Sequence, residues 1–307
     1  RCHITQHEPQ AVAGTAPISE YAANLTIATD GQERITGDFA VNSTTGETGF
    51  ALNVGGDLTP LLAPDYQGFF GPDVSLIAAG SIAQTGAFSL TTLDLTAQSL
   101  VLNGQVNVGP SGWPESIDLT GSIRNPGGQP VLLPLGGPKT YVDNVDLAIK
   151  YDETVSNKWT GTFDIAGFDR PGLGIAKIAL TGGGIILNGN GPEKGEVTVD
   201  MTYAANGLQL DSAGAAQAFG DALDGQIVIS RVEGEPTKIS TLTLNGPGIE
   251  VAADATIQGP KDGLKTQTNI VFSADALGRF STLAGRNLGG AAEATVVATV
   301  SPLDGMF

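Results

Sequence analysis

The 307 residues include 43 Gly and 17 Pro beside a hydrophobic share of 41% and a charged share of only 15%. That mixture excludes disorder, because a disordered chain lacks the apolar residues needed to offset the entropy of ordering. The net charge of -17 excludes nucleic acid as a partner and electrostatic docking on anionic lipid, and the single Cys excludes both an internal disulfide and a Cys-built zinc site.

The first ten residues, RCHITQHEPQ, carry no apolar stretch, and no run of about 18 apolar residues follows anywhere. The chain therefore reads as an internal fragment of a larger protein, with any anchor outside it. Cys2, His3 and His7 are the only Cys and His residues. They lie at one end without an orienting third group, so no nucleophile pair is assigned to them.

Residues 58–70 contain Pro60 and Pro64 and read as a short broken helix. From Leu93 a unit begins, LDLTAQSLVLNG, that returns as IALTGGGIILNG from Ile178 and LTLNGPGIEVAA from Leu242. Each copy places two alternating apolar stretches around a Gly/Ser-rich turn or bulge. The offsets, 178-93 = 85 and 242-178 = 64, are unequal, which favours a meander of hairpins over a solenoid of fixed rung.

Strict alternation marks half-buried strands at Ile117, Leu119 and Ile123, at Val145, Leu147 and Ile149, at Phe163 and Ile165, at Val197, Val199 and Met201, and at Ile227 with Ile229. Gly/Pro clusters at 125–129, 135–138 and 189–195 mark loops too short to be domain linkers. Two further helices are expected, one capped by Ser212 and running to Leu223, the other following Ser273 through Leu288 and stopped by Gly289 and Gly290. The fold class is thus all-β: a long twisted, curved, open antiparallel sheet with a few short helices at the rim, forming one continuous elongated domain over 1–307.

No nucleophile elbow, phosphate loop or zinc helix occurs, and Lys177 stands where the last Gly of a dinucleotide fingerprint beginning at Gly172 and Gly174 would be. The run Gly182–Gly184 lacks the Asp of a calcium-binding repeat and reads as a turn. Asp118, Asp146, Asp164 and Asp200 sit on the polar faces of separate strands and read as solvated charges, while Trp113 and Trp159 read as packing residues. The expectation is a non-enzyme with no catalytic residue, no metal and no cofactor.

The apolar residues of the alternating stretches are the candidate site. They are Leu93, Leu95, Leu100, Leu102, Ile117, Leu119, Ile123, Leu147, Ile149, Phe163 and Ile165, then Ile178, Leu180, Ile185, Leu187, Val197, Val199, Leu242, Leu244, Ile249 and Val251. On one side of an open sheet they would line a groove for apolar cargo. In a sandwich or barrel the same residues would fill a closed core, and alternation alone does not separate the two. The Gly/Ser turn can also flip the second half of each repeat to the other face.

The stretch GGDLTPLLAPDYQGFFGP at 55–72, with TTLDLTAQSLVLNGQVNVG from Thr91, QPVLLPLGG from Gln129, STLTLNGPGIEVAADATI and FSTLAGRNLGGA, resembles the periplasmic part of TamB-like translocation and assembly proteins of the AsmA/TamB superfamily. The resemblance covers most of the chain and rests on repeat texture and a few phrases. It implies a taco-like β trough in the periplasm, with a parent protein anchored in the inner membrane of a Gram-negative bacterium. It further implies carriage of phospholipid acyl chains toward the outer membrane, and support of outer-membrane protein and autotransporter assembly with a TamA-like barrel. Two other classes share parts of the texture: a β-solenoid adhesin or autotransporter passenger, and a carbohydrate-active β enzyme working through two carboxylates.

Overall fold

The computed structural model describes residues 2–6, 19–189 and 194–301, and its backbone groups into two compact units, Arg1–Ser156 and Asn157–Phe307. The fold is all-β, with three short helices and strand registers that are all antiparallel. No parallel rung of a solenoid occurs among the described residues.

In the first unit the strands are β1 (Cys2–Gln6), β2 (Ser19–Thr29), β3 (Gln32–Thr44), β4 (Glu47–Gly56), β5 (Val74–Ala83), β6 (Phe88–Thr96), β7 (Leu100–Val108) and β8 (Pro114–Arg124). Each pairs with the next, and β8 then pairs with β11 (Asn144–Asp152), past the two-residue strands β9 (Val131–Leu132) and β10 (Tyr141–Val142). Among the described residues no register joins β1 to β11, and the ladder is open.

The second unit repeats the plan with β12 (Lys158–Arg170), β13 (Leu173–Leu187), β14 (Glu196–Leu210), β15 (Ala222–Val232), β16 (Thr237–Gly246), β17 (Ile249–Ile257), β18 (Thr266–Ala274) and β19 (Ala292–Val300). Each strand again pairs with its successor and β12 does not pair with β19.

Two of the three repeat copies are hairpins. TAQSL turns the chain from β6 into β7, and NGPGI turns it from β16 into β17 around Gly248 at φ 69°. The third copy runs straight through one strand, β13, with Gly182–Gly184 inside it, which corrects the turn expected there. Those glycines sit where facing carbonyls crowd in: a Cβ on Gly183 would strike the carbonyl of Trp159, and one on Gly184 that of Thr198.

Bulges keep the apolar phase where simple alternation would lose it. In β6 the pairing slips between Leu90 and Leu93, and in β16 between Ile239 and Leu242, so both members of each i, i+3 pair stay on one face. The extra residue is Thr or Ser. Thr91 Oγ1 donates to the Ala79 carbonyl at 3.1 Å, and Ser240 makes the equivalent long contact to the Val228 carbonyl at 3.5 Å. A third phase change crosses β12, β13 and β14 at Gly167, Ala176 and Gly207. The two glycines have φ of 62° and 69°, and beyond them Phe168, Ile175 and Leu208 become the covered residues.

The helices lie at strand ends. α1 (Pro64–Phe70) follows a single 3-10 turn at Thr59–Leu61, so the segment is broken at its prolines as expected. Its last carbonyls, on Phe69 and Phe70, accept from the amides of Ser99 and Gln98 in the β6–β7 turn, and Tyr66 Oη donates to the Leu135 carbonyl at 3.3 Å. Three of the phrases that carried the resemblance thus meet in one cap.

α2 (Ala213–Phe219) is capped by Ser212, whose Oγ accepts from the Ala215 amide at 3.3 Å. It stops four residues before Leu223, because Gly220 takes φ 77° and Ala222 already begins β15. The helix expected after Ser273 starts later, as a 3-10 turn at Leu277–Phe280 followed by α3 (Ser281–Ala284), since Ser273 is still paired to Glu293 in the sheet. α2 and α3 meet closely at Gly214, where a Cβ would lie 2.9 Å from the Leu283 amide nitrogen.

At the end of β4, Asp57 accepts from the Thr59 amide at 2.9 Å and from the Thr59 hydroxyl, and Arg34 lies 3.3 Å away. The Thr59 hydroxyl, more than Arg34, holds this carboxyl below its ordinary value, with desolvation opposing. A depressed folded value means that the contribution to stability is present above the unfolded carboxylate range and is lost as pH falls through the lower, folded value. Carboxyl-carbon NMR should therefore find Asp57 titrating below the ordinary aspartate range, and Thr59→Val should move it up toward that range; an unmoved titration would exclude the hydroxyl as the cause.

Candidate functional site

Directly paired residues of an antiparallel ladder project on the same side, so the registers define faces without further assumption. In the first unit one row runs Ala23, Phe39, Leu52, Ala78, Leu93, Gly104, Leu119, Ile149. The neighbouring row runs Leu25, Gly37, Val54, Leu76, Leu95, Leu102, Gly121, Leu147. Leu100 and Ile123 extend the face on one side and Val106 and Ile117 on the other. Neither of these central rows holds a charged residue from β2 to β11. All nine candidate residues of this unit, Leu93, Leu95, Leu100, Leu102, Ile117, Leu119, Ile123, Leu147 and Ile149, share this single surface.

The second unit has an equivalent face. Its central row is Gly161, Gly182, Met201, Ile227, Leu242, Ala253, Ile270, Val296. Phe163, Ile165, Ile178, Leu180, Val197, Val199, Leu244, Ile249 and Val251 lie on the same side. Ile185 and Leu187 do not. They pair with Lys158 and Glu196 on the opposite face, because β13 passes straight through the glycines and period-2 parity puts Ile186 inward instead.

The candidate set left out Phe39, Phe50, Leu52 and Leu76 of the first unit and, of the second, Tyr203 and Met201, the latter already marked by alternation as a strand residue. Phe50, Leu52 and Val54 alternate as cleanly as any residues that were chosen, so the signal was present there.

These faces are neither bare nor sealed. Leu76, Leu95, Leu102, Leu119 and Leu147 are half-buried, although they occupy the middle of the first unit's face, and Ile35 and Tyr151 are the large face residues of that unit that are buried. At the margins Phe39 is 41% and Ile82 50% exposed. A packed interior would bury the central rows first. Here the central leucines keep part of their surface accessible.

Two aromatic side chains of the second unit share one geometry. Trp159 on β12 passes beside Gly184 on β13 and donates Nε1–H to the Thr198 carbonyl on β14 at 2.9 Å. Tyr203 on β14 passes beside Gly225 on β15 and donates its hydroxyl to the Thr243 carbonyl on β16 at 2.8 Å. In both, the displaced ladder bond is replaced by the threonine hydroxyl. Thr198 Oγ1 accepts from the Ile185 amide at 2.9 Å, and Thr243 Oγ1 from the Gln226 amide at 3.0 Å. Burial raises the Tyr203 hydroxyl above its ordinary value, so it stays a donor at neutral pH.

The opposite faces are polar. Asp118 pairs with Lys150 at 3.8 Å, Asp146 pairs with Arg124, Asp200 accepts from Gln226 at 2.6 Å, and Asp164 stands across from Ala179. A hollow of about 690 Å³ also belongs to this side in the first unit, over the row Ala22, Ala40, Ala51, Ala79, where small side chains leave a dip rimmed by Glu20 and Asn42. It is a separate feature from the leucine rows. Trp113 lies in the turn before β8, where its carbonyl accepts from the Gly109 amide at 2.8 Å. Cys2 and His3 pair with Ile27 and Thr26 through the backbone of β1, and His7 lies outside the described residues.

Compared with family models, with curated proteins and with solved structures, the chain matches none.

Proposed function

We propose that this chain is a segment of a periplasmic lipid-carrying sheet of the TamB-like kind, whose apolar faces receive phospholipid acyl chains in transit between the inner and outer membranes. The parent protein, anchored in the inner membrane, would support outer-membrane protein and autotransporter assembly through a TamA-like barrel. No catalytic step is assigned to it. The observation that carries this reading is the half-exposed apolar face of the first unit, whose central rows hold no charged residue, since contiguous accessible apolar surface marks an interaction site.

At about 25 cal/mol per Å², some 300 Å² of acyl chain taken out of water on such a face is worth roughly 7 kcal/mol before ordering costs. The attraction has no direction, so a chain can move along the row of leucines without breaking specific bonds. Glycines interleaved in the rows, Gly104 and Gly121 among them, lower the surface locally without adding a polar side chain.

Photo-crosslinking tests the reading. A diazirine residue at Leu119 or Leu147 should yield acyl-chain adducts, while one at Thr120, on the reverse side, should yield none. Adducts at neither leucine would end the proposal.

A further inference from the structure

We infer that the outer edge of β19 joins two copies of this chain, strand to strand, into a dimer. Among the described residues β19 is in register with β18 from Thr266 opposite Val300 to Ala274 opposite Ala292, with no bulge. Away from β18 it lies open. Val296 and Val300 are exposed, and Val297, which projects on the polar side with its partner Asn269, is 80% exposed. A free strand edge presents amides and carbonyls ready to pair, and proteins ordinarily blunt it with lysine, proline or a bulge. The strand AEATVVATV has none of the three, and Thr295, Val296, Val297, Thr299 and Val300 are all β-branched residues that favour pairing.

The occupant that fits this edge is the strand itself. Antiparallel pairing about a two-fold axis at Val297 sets Val297 against its own counterpart, Thr295 against Thr299, Val296 against Ala298 and Ala294 against Val300. Directly opposed residues project on the same side of the sheet. Valine and alanine therefore meet on the apolar side, while Thr–Thr and Val–Val pairs, both favourable across strands, meet on the other. Val297, left in water by its own sheet, gains cover from the second copy.

Charge favours this contact over others that a second copy could make. The chain carries a net charge of -17, yet β19 holds a single charged residue, Glu293, near one end. The two Glu293 side chains of the dimer stand eight residues apart along the joined strands, about 27 Å at 3.4 Å per residue. That exceeds the screening length of about 10 Å at moderate salt. Both apolar sides face the same way, so the joint carries the row Ala253, Ile270, Val296 on into the second copy. Each copy uses the edge once, and the assembly closes at two. A single strand on each side makes an interface smaller than the roughly 1,200 Å² at which stable complexes begin, so the dimer is weak and depends on concentration.

Sedimentation equilibrium of the full chain, without lipid, should show monomer at about 1 μM and a growing dimer fraction toward about 200 μM. V297K sets two lysines against each other and should weaken the dimer at least fivefold. V155K, at a turn residue of the first unit that is 81% exposed, should leave it unchanged. Both positions lie in solvent, and equal urea midpoints check that the fold survives. Register is read by cross-linking in a C2S background under mild oxidation. V297C should cross-link to itself, whereas T295C should not, because its two copies lie four residues apart, about 14 Å. T295C mixed with T299C should cross-link. A monomer throughout the range, species larger than a dimer, equal losses in V297K and V155K, or self-cross-linking of T295C as fast as that of V297C would overturn the inference. None of these outcomes bears on acyl-chain binding.

Discussion

Valine at Gly184 is expected to remove about 3 kcal/mol of stability, more than any change to an exposed residue of the chain. Two costs add. The new side chain enters the space between the Thr198 carbonyl and the Trp159 ring, where a Cβ would already stand 2.8 Å from Nε1, and overpacking of this kind costs about 1–3 kcal/mol. The indole then loses its 2.9 Å bond to the Thr198 carbonyl, worth about 1 kcal/mol more. Gly225→Val should behave alike, because the Tyr203 ring and the Thr243 carbonyl stand in the same relation to it. Alanine at Gly136, which has open space around it, serves as the neutral comparison. Urea titration followed by tryptophan emission reads both parts: the midpoint falls, and Trp159 emission shifts to the red. A Gly184→Val midpoint equal to that of Gly136→Ala would refute the clamp.

The second large effect concerns cargo. Glutamate at Leu119 places a charge in the middle row of the first unit's face, between Gly104 and Ile149. Any acyl chain crossing the row must then strip water from a carboxylate or detour around it, and an unpaired charge costs several kcal/mol to bury. Binding of a spin-labelled fatty acid should weaken at least tenfold. The fold should survive, because Leu119 is only half-buried and the new carboxylate can reach solvent when no ligand is present. Thr120→Glu, one residue along and on the opposite side, should leave binding unchanged. Equal binding by both variants would remove the apolar face from the mechanism.

Much of this architecture was legible because period-2 alternation is a direct record of sheet faces. Leu119 beside Asp118, and Leu147 beside Asp146, announce both the strand and the side. Turns were legible where glycine or proline had to provide them, as at Gly248. Alternation failed where the backbone changes phase, as at Thr91 and Ser240, whose bulges depend on a partner strand that local sequence does not reveal. The three glycines of β13 misled for a related reason. They read as a turn, yet they answer to carbonyls on β12 and β14 that come close only once the sheet has formed. Ile185 and Leu187 went to the wrong side with them.

Helix ends were misplaced by tertiary demand. Ala222 and Leu223 continue an apolar helical stripe, but Ala222 has a ladder partner in Asn206 and Leu223 one in Ala205.

The polar sides have a consequence of their own. Asp38, Asp94, Asp164, Asp224, Glu250 and Asp254 all project from the reverse of the leucine rows, and few cations stand near enough to neutralise them. Two such sheets approaching back to back would meet like charge at every step, a repulsion that works over about 10 Å at moderate salt. The acidic reverse therefore disfavours pairing of two copies back to back.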